Sequence, residues 1–272
     1  DWPRHSQFCI PVMVTEIPGK GKGLVASKDF KKGQVIFKET AAIAVNGPGV
    51  IVPLQELKEQ ISKMSVEQKT RFYQLTLRGT FNPAQLATAF RENCLQELDI
   101  FFGNSYLWHD KLTLFLTSAF LNHSCAPNVL VDGNSKPFNE LKVRATKNIS
   151  KGEEVTQCYI DGRFMTSSQM KARLQKDFSI IECKCSVCAG SIPHQDGLIS
   201  EISSKTASVY SQSFDLLYQK KKKDWMIEAL RIERAADLTK QLYVGDISVR
   251  FKVYVRFVFA SQMARDPIVN SS

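Results

Sequence analysis

Long hydrophobic runs are absent from this chain of 272 residues. A membrane-spanning helix needs about 20 consecutive apolar residues, and no window of the sequence comes near that length. The N-terminus carries no basic stretch followed by an apolar one, so secretion is not indicated and we expect the nucleus, the cytoplasm or both. Hydrophobic residues form 43% and charged residues 23% of the chain, which suits a globular protein with a substantial core.

Common catalytic patterns are missing as well. No serine–histidine–aspartate set can be assigned, and no histidine–glutamate spacing typical of a catalytic metal occurs. Segment 19–26 (Gly-Lys-Gly-Lys-Gly-Leu-Val-Ala) is rich in glycine, but it lacks the Ser or Thr and the following helix of a phosphate loop. Its glycines would instead let the backbone approach a ligand closely, in a turn before a strand that begins at Leu24.

A disulfide framework is not expected, because the cysteine count is odd and no leader is evident. The seven cysteines are Cys9, Cys94, Cys125, Cys158, Cys183, Cys185 and Cys188. The first two and Cys158 fit small buried hydrophobic positions. The last three form a Cys-x-Cys-x-x-Cys cluster, to which a structural zinc site would add a fourth ligand. Cys125 is the best candidate and His194 its competitor, while three reduced thiols without metal are the alternative.

Cys125 lies in an abrupt break in hydrophobicity. The largely apolar run 115–121 leads directly into Asn122, His123 and Ser124, and a proline follows at 127. Core positions rarely hold an amide beside an imidazole. Such conflicts are expected where function overrides packing. The plainer interpretation is a capped turn with a hydrogen-bonded histidine.

Strand signals cluster in residues 10–45 and 128–160. Segments 34–39 and 153–160 each follow a Lys-Gly turn. Leu141, Val143 and Ala145 alternate with charged residues, as in a half-buried strand. These two clusters predict small sheets built from distant parts of the chain.

Helical signals occupy the insert 46–100 between these clusters. One helical face is shared by Leu54, Leu57, Ile61 and Met64. Residues 65–68 (Ser-Val-Glu-Gln) form a capping box for a second helix carrying Phe72 and Leu75, and Asn82-Pro83 begins a third, with Leu86, Phe90 and Leu98 on its buried side.

The C-terminal third is also helical in pattern. Residues 166–169 (Thr-Ser-Ser-Gln) form another capping box, in which Met165 and Met170 can provide a hydrophobic staple. From about residue 196 onward the pattern stays helical. The stretch 249–259 fits a strand or a helix, and its neighbours favour a helix.

The chain is basic, with a formal net charge of +9 and an isoelectric point of about 9.2. Such a surface favours acidic partners, including nucleic acid and chromatin. Residues 220–223 are consecutive lysines, which indicate a solvated helix corner or, more sharply, a phosphate contact. The other basic residues are scattered and no aromatic stripe accompanies them. Direct nucleic-acid binding is therefore not expected as the main function.

Four separated motifs together resemble a SET-domain protein lysine methyltransferase. They are Gly-Lys-Gly-Lys-Gly-Leu at 19–24, Asn-His-Ser-Cys-x-Pro-Asn at 122–128, Gly-Glu-Glu-Val-Thr at 152–156 with Tyr159 and Asp161, and the cysteine tail. Order and spacing agree over about residues 9–190, most closely with the SMYD and fungal-type branch, in which helices follow the cysteine tail. That branch often carries a MYND zinc finger, which is missing here because residues 46–100 contain only Cys94.

The resemblance implies an α+β fold, with small curved sheets of the β-clip type around a pseudoknot. It implies a SET domain at 1–190, with the helical insert and a post-SET zinc tail (178–190), and a C-terminal helical region at 191–272. It further implies S-adenosylmethionine as the methyl donor, one structural zinc ion and a lysine of a protein, histone or non-histone, as the acceptor. We expect a monomer.

Carried over by position, the resemblance assigns a role to each motif residue. Tyr159 would be the catalytic residue. The residues implied to line the cofactor pocket are Lys20, Gly21, Lys22, Gly23, Leu24, Asn104, Leu121, Asn122, His123, Tyr159 and Ile181. The implied zinc ligands are Cys125, Cys183, Cys185 and Cys188, and Tyr106 and Phe120 are expected to wall the lysine pocket. Ile181 departs from the family, in which an aromatic residue usually packs on the adenine there.

These residues suit methyl transfer to an amine. Only about 0.04% of lysine side chains are neutral at pH 7, given a pKa of about 10.4. A narrow apolar channel beside a positive sulfonium lowers the lysine pKa through desolvation and like charge. Positioning supplies most of the remaining acceleration. Tyr159 is therefore expected to orient the reactants and stabilise charge, and not to act as a nucleophile.

Two other functions fit parts of the sequence. A catalytically weak SET scaffold that binds partners through the basic helical C-terminal region is motivated by Ile181 and by the missing zinc finger. A zinc-containing nucleic-acid binder is motivated by the net charge and by the lysine run at 220–223. Absence of cofactor binding would favour the scaffold over the enzyme. Salt-dependent DNA binding would support the nucleic-acid binder.

Overall fold

The structure is a computed structural model that describes residues 10–46, 54–75, 77, 95–108, 111–133, 139–160, 165–190 and 196–210, together with residues 230, 234 and 238. Four predicted features lie outside these residues, at least in part. They are the start of the third helix (from Asn82), His194, the lysine run at 220–223 and the stretch 249–259. The chain divides into two compact units. The first is Asp1–Gln157 with Lys176–Ile180, and the second is Cys158–Gln175 with Ile181–Ser272. The division predicted at residue 190 stays a prediction.

The described elements follow the predicted order of strands, helices, strands and helices. The strands are β1 (Val12–Ile17), β2 (Gly21–Ala26), β3 (Val35–Thr40), β4 (Ile43–Asn46), β5 (Tyr106–Trp108), β6 (Lys111–Leu114), β7 (Asn122–His123), β8 (Val129–Asp132), β9 (Glu140–Ala145) and β10 (Glu154–Gln157). The helices are α1 (Leu54–Lys63), α2 (Val66–Phe72), α3 (Leu95–Asn104), α4 (Ser167–Phe178) and α5 (Asp196–Tyr210), and Ser118–Phe120 is a single 3-10 turn. Among these residues, no helix is long and apolar enough to cross a membrane.

Within the described part of the first unit, the strands form three small sheets. Their strand orders are β1-β2-β10-β7, β3-β9-β8 and β4-β6-β5. Almost all pairs are antiparallel, but β10 runs parallel to β7. The parallel pair joins residues near 122 with residues near 156, and the same β10 pairs with β2 on its other side. Three distant segments of the chain therefore meet in one sheet.

Hydrophobic periodicity explains most of these elements. In β9 the side chains of Leu141, Val143 and Ala145 are fully buried and the residues between them are half-buried, as predicted from the alternation. In α1 the side chains of Leu57 and Ile61 are buried on one face, and Met64 is buried just after the helix. These side chains all belong to the main hydrophobic core of the first unit.

Both predicted capping boxes are present. The Ser65 hydroxyl accepts a hydrogen bond from the backbone N–H of Gln68, whose side chain accepts one from the backbone N–H of Ser65. Thr166 and Gln169 exchange the same two hydrogen bonds before α4. Met170, one member of the predicted staple, is buried. Each box satisfies two N–H groups that the first turn of a helix leaves without partners.

The glycine-rich segment differs from its prediction. A turn was expected up to Gly23, with the strand beginning at Leu24, but β2 already begins at Gly21. Gly21 has a positive φ of 71°, and Lys22 and Gly23 pair with β1 as ordinary strand residues. The predicted strand 153–160 is in turn shorter, since β10 ends at Gln157.

In the second unit, a carboxylate connects the starts of two helices. The backbone N–H of Ser167 donates to Asp196 Oδ1 at 2.7 Å, and the Ser167 hydroxyl donates to Oδ2 at 2.5 Å. Ser167 begins α4 and Asp196 begins α5. An acidic residue at a helix N-terminus also complements the helix dipole.

Candidate active site

The motif Asn122–His123 is held in place by the short parallel pairing with β10. Asn122 lies opposite Thr156 and His123 lies opposite Gln157. The backbone N–H of Ser124 continues this pairing by donating to the Gln157 carbonyl at 2.8 Å. Because β10 also pairs with β2, the glycine-rich strand, the polar break and the Glu-Glu-Val-Thr strand lie side by side. The sequence motifs predicted to share a site are thus brought together.

A carboxylate from β3 holds the segment that enters β7. Glu39 accepts hydrogen bonds from the backbone N–H of Thr117 at 2.6 Å and of Ser118 at 2.9 Å. It also accepts one from the Ser118 hydroxyl at 2.8 Å. Desolvation raises the pKa of Glu39 above its usual value of 4.5, although these hydrogen bonds act in the opposite direction. Local sequence patterns do not reveal this contact, because its partners lie 78 and 79 positions from Glu39 along the chain.

Asn122 of β7, Glu154 of β10 and Lys20, which immediately precedes β2, form a polar cluster. Lys20 Nζ lies 2.6 Å from Glu154 Oε2. Asn122 Nδ2 donates to Glu154 Oε1 at 3.0 Å and to the carbonyl of Lys22 at 3.2 Å. Lys20, Lys22 and Asn122 were all implied in cofactor binding, whereas Glu154 appeared only as part of a motif. The sequence signal that could have pointed to Glu154 is an acidic pair directly after the Lys-Gly turn that precedes segment 153–160.

Gly23 lies directly beneath this cluster. A Cβ atom at this position would lie 2.6 Å from Asn122 Nδ2 and 2.6 Å from Ile17 Cγ1. Real Cβ atoms essentially never approach other atoms so closely. A glycine is therefore required by the close approach of Asn122, and not by a turn or by its backbone conformation.

His123 is buried beside the end of its own motif. Its Nε2 lies 3.4 Å from the Sγ of Cys125. Ser124 is also buried, and its hydroxyl accepts from the backbone N–H of Ala126 at 3.1 Å. Leu121, just before β7, is fully buried in the core of the first unit. The run 115–121 thus belongs to the core, while its polar end has specific hydrogen-bond partners.

Asn128 fastens the end of the motif to β10. Its Nδ2 donates to the Glu154 carbonyl at 2.8 Å and to Glu153 Oε1 at 3.0 Å. Its Oδ1 accepts from the backbone N–H of Thr156 at 2.8 Å. This buried amide uses donor and acceptor atoms at once, which makes its hydrogen bonding well satisfied.

The cysteine prediction names a set of residues that does group together. The sulfur atoms of Cys125, Cys183, Cys185 and Cys188 all lie within 4.8 Å of one another. A tetrahedral zinc ion with Zn–S bonds of about 2.3 Å separates its sulfurs by about 3.8 Å, so a small contraction suffices. Four thiolates are a donor set that zinc prefers. The cluster fits a structural zinc ion.

Other predicted site residues have separate positions. Tyr159 is half-buried and lies two residues beyond β10. Asn104 ends α3, and its Nδ2 donates to the Ile100 carbonyl at 2.8 Å. Ile181 is 82% exposed. None of these positions tests the cofactor role that the resemblance implies.

Tyr106 and Phe120, the expected wall residues, flank the entry to β7. Phe120 is buried in the core. The Tyr106 hydroxyl donates to the Ser118 carbonyl at 3.2 Å and accepts from Gln157 Nε2 at 2.7 Å. Gln157 is thereby a polar neighbour of Tyr106 that the sequence analysis missed, since its side chain reaches a residue 51 positions away.

The SET domain family matches residues 21–160, which span every strand from β2 to β10. The chain belongs to the SET-domain family. The predicted family and the predicted α+β fold are thereby confirmed. The match also covers the three adjacent strands β2, β7 and β10, which contain Asn122 and Glu154 of the polar cluster.

Among relatives, the chain is similar to proteins named as lysine methyltransferases. It is 29% identical over 177 residues to histone-lysine N-methyltransferase set5 of Schizosaccharomyces pombe, covering 65% of this chain and 50% of that one. It is 25% identical over 199 residues to human N-lysine methyltransferase SMYD2, covering 69% of this chain and 43% of that one. A shorter match, 37% over 75 residues, covers 28% of this chain and 16% of mouse histone-lysine N-methyltransferase SMYD3. The chain thus spans about half the length of set5 and less of the others.

Proposed function

We propose that this protein transfers a methyl group from S-adenosylmethionine to the side-chain amine of a protein lysine. The observation that carries the proposal is the meeting of β2, β7 and β10 within the region that matches the SET domain. This sheet brings Lys20, Lys22 and Asn122 to one place and ends two residues before Tyr159. The names of the relatives, histone-lysine and N-lysine methyltransferases, support the same reaction class.

The donor end of the site suits a zwitterionic ligand. Lys20 Nζ and the Asn122 side chain can meet a carboxylate and an ammonium, and Gly23 leaves the room in which the Asn122 amide packs against β2. S-adenosylmethionine supplies an electrophilic methyl group on a sulfonium. The cofactor-contacting residues in this proposal are those carried over by position: Lys20, Gly21, Lys22, Gly23, Leu24, Asn104, Leu121, Asn122, His123, Tyr159 and Ile181.

Tyr159 would orient the acceptor. Desolvation and the neighbouring positive charge lower the pKa of the substrate lysine, which loses its proton to solvent before reaction. The neutral amine then gains the methyl group as the carbon–sulfur bond breaks, leaving a thioether and a methylated ammonium. The Tyr159 hydroxyl holds the amine in line and stabilises charge in the transition state.

A structural zinc ion bound by Cys125, Cys183, Cys185 and Cys188 is part of the proposal. Its thiolates would fix the tail, in which residues 181–190 form no helix or strand, and the metal would take no part in the chemistry. We further propose that the substrate is a protein, histone or non-histone, that the enzyme acts as a monomer, and that it works in the nucleus, the cytoplasm or both.

The deciding experiment combines cofactor binding with methyl transfer. Calorimetry should show binding of S-adenosylhomocysteine to the wild-type protein. Labelled S-adenosylmethionine should transfer its methyl group to a lysine of a histone or cell-extract protein, and Tyr159→Phe should lower this rate at least about 100-fold while retaining cofactor binding. Cofactor binding without transfer to any protein would refute the proposal.

A weak SET scaffold is the second candidate, and one observation favours it. Ile181 replaces the aromatic residue expected on the adenine, and its side chain is 82% exposed. Aliphatic contact with a purine is weaker than aromatic stacking. If S-adenosylhomocysteine shows no binding at millimolar concentration, the scaffold is the better conclusion.

A further inference from the structure

Glu154 divides its carboxylate between two residues of the donor end. Oε2 contacts the Lys20 ammonium at 2.6 Å, and Oε1 accepts from Asn122 Nδ2 at 3.0 Å. The two side chains of the ion pair are only 19% and 18% exposed. Salt therefore screens this pair less than it screens a fully exposed one. The Glu154 carboxylate thus contacts both the Lys20 ammonium and the Asn122 amide.

The same contact decides which way the Asn122 amide faces. Its nitrogen lies 3.0 Å from Glu154 Oε1 and 3.2 Å from the Lys22 carbonyl oxygen. Both neighbours are acceptors without hydrogen, so the amide nitrogen, and not its oxygen, has to face them. Both amide hydrogens are thereby used. Within the part of the chain that the structure describes, no hydrogen bond engages Asn122 Oδ1.

The backbone of β2 holds the amide in this position. A Cβ atom at Gly23 would lie 2.6 Å from Asn122 Nδ2, so the amide packs directly on the strand. Asn122 is only half-buried, so its oxygen remains within reach of a ligand. A preorganised acceptor costs a ligand less on binding than one that must first be oriented.

We propose that Glu154 is a positioning residue: it fixes the Asn122 amide so that Oδ1 accepts a hydrogen bond from the ammonium of the donor's amino-acid end, and it holds the Lys20 ammonium beside the same place. This inference rests on the proposed function and adds a residue to it. Glu154 does not touch the donor. It acts through Asn122 and Lys20.

Glu154→Gln tests the role without changing the size of the side chain. A carboxylate can accept from both neighbours, whereas an amide has one acceptor oxygen and can serve only one. The probes are S-adenosylhomocysteine and 5′-methylthioadenosine, which lacks the amino-acid end. By calorimetry, Glu154→Gln should weaken S-adenosylhomocysteine about 10- to 100-fold, the range for a hydrogen bond to a charged group. Binding of 5′-methylthioadenosine should stay within about twofold of wild type.

The matched control is Glu153→Gln. Glu153 is the adjacent carboxylate, but it accepts from Asn128 and from the backbone N–H of Ser150. Its substitution should leave the affinities for both ligands within about twofold of wild type. In an Asn122→Ala background, Glu154→Gln should cost less than it does in the wild type, because only the part that acts through Lys20 then remains.

Three results would overturn the inference. They are unchanged S-adenosylhomocysteine affinity in Glu154→Gln, equal losses for both ligands, and fully additive losses in the double variant. Equal losses would mean a general structural defect. If the wild-type protein binds S-adenosylhomocysteine and Glu154→Gln binds it equally well, only the role of Glu154 fails. If the wild-type protein itself does not bind it, the proposed function fails first.

Discussion

The Asn122–His123 strand and the cysteine tail keep their shapes by different means. The strand is paired with β10, preceded by the Glu39 contacts and followed by Asn128, whose side chain is hydrogen-bonded to β10. Residues 181–190, all of which the structure describes, contain no helix or strand. Their backbone hydrogen bonds join Ala189 to Cys185 and Gly190 to Val187. A segment without helix or strand lacks the regular backbone pairing that holds β7, and four cysteine sulfurs, one of them from Cys125, supply a metal site.

The largest effect is expected when the metal site is lost, because only the cysteine tail depends on it. Cys183→Ser should reduce zinc from one ion per chain to about zero, because three thiolates cannot complete the tetrahedral set. Hydrogen exchange should then accelerate in residues 181–190, while β9 and β10 stay protected. Metal content is measured by elemental mass spectrometry.

Cys158→Ser is the control for this experiment, since its thiol donates to the Ile160 carbonyl and is not in the cluster. It should retain one zinc per chain. A wild-type protein without zinc, or a Cys183→Ser variant that keeps it, would contradict the metal assignment.

On the strand side, Glu39→Ala should have the largest effect on stability. It leaves the N–H groups of Thr117 and Ser118 without their acceptor, at a cost of about 1–3 kcal/mol for each group that finds no other. Denaturant unfolding should show the loss, and zinc content should not change. A loss below about 0.5 kcal/mol would mean that solvent replaces the carboxylate.

The pH dependence of Glu39 has a definite sign. Burial raises its pKa above 4.5, so between 4.5 and the raised value the folded state binds more protons than the unfolded state. The contribution of Glu39 to the free energy of unfolding therefore falls as pH rises through this window. Relative to Glu39→Gln, which cannot titrate, the wild type should lose stability over the same interval. A constant difference between the two proteins would refute the raised pKa.

Gly23→Ala should have the next largest effect on stability, and the effect should be confined to the strand region. The new Cβ must displace Asn122 or Ile17, which typically costs about 1–3 kcal/mol. S-adenosylhomocysteine binding should weaken with it. The matched control is Gly197→Ala in α5, where a Cβ meets nothing within 4 Å. Because alanine favours a helix over glycine, that variant should gain about 0.5–1 kcal/mol. The glycine-to-alanine substitution should thus lower the free energy of unfolding at position 23 and raise it at position 197. Changes of the same sign would argue against the close contact at Gly23.

The smallest effect on stability is expected at Ile181. Its side chain is 82% exposed, so Ile181→Phe should change the free energy of unfolding by less than about 0.5 kcal/mol. An aromatic ring on the adenine would nevertheless tighten S-adenosylhomocysteine binding by about 2- to 10-fold. Calorimetry measures this, and unchanged affinity would show that residue 181 does not contact the adenine.

Features set by neighbouring residues were predictable. The capping boxes at 65–68 and 166–169 and the alternation in β9 depend on residues within a few positions of each other. The order of the four motifs was enough to identify the family, because each motif is a short local pattern. Counting the ligands that zinc needs called for a fourth beside the three tail cysteines, and Cys125, the candidate preferred over His194, does group with them.

Features set by distant residues were not predictable in the same way. Gly23 was interpreted as part of a turn, since glycine commonly marks turns, whereas it serves the close approach of Asn122 from another strand. Glu39 is an ordinary strand residue by sequence, and only the fold brings Thr117 and Ser118 to its carboxylate. Glu154 is similar, because its partner Lys20 lies 134 positions away.

The long sequence separation between Lys20 and Glu154 has a consequence during synthesis of the protein. The donor end proposed above requires Lys20, Asn122 and Glu154 at once, and their grouping is completed only by residues 154–157. Contacts between such remote positions form late, because the entropy of closing the long intervening loop is lost first. A nascent chain that ends before β10 therefore has every residue of the glycine-rich strand and of the Asn122 motif, but no means of binding the donor. We therefore expect no donor binding until β10 has left the ribosome.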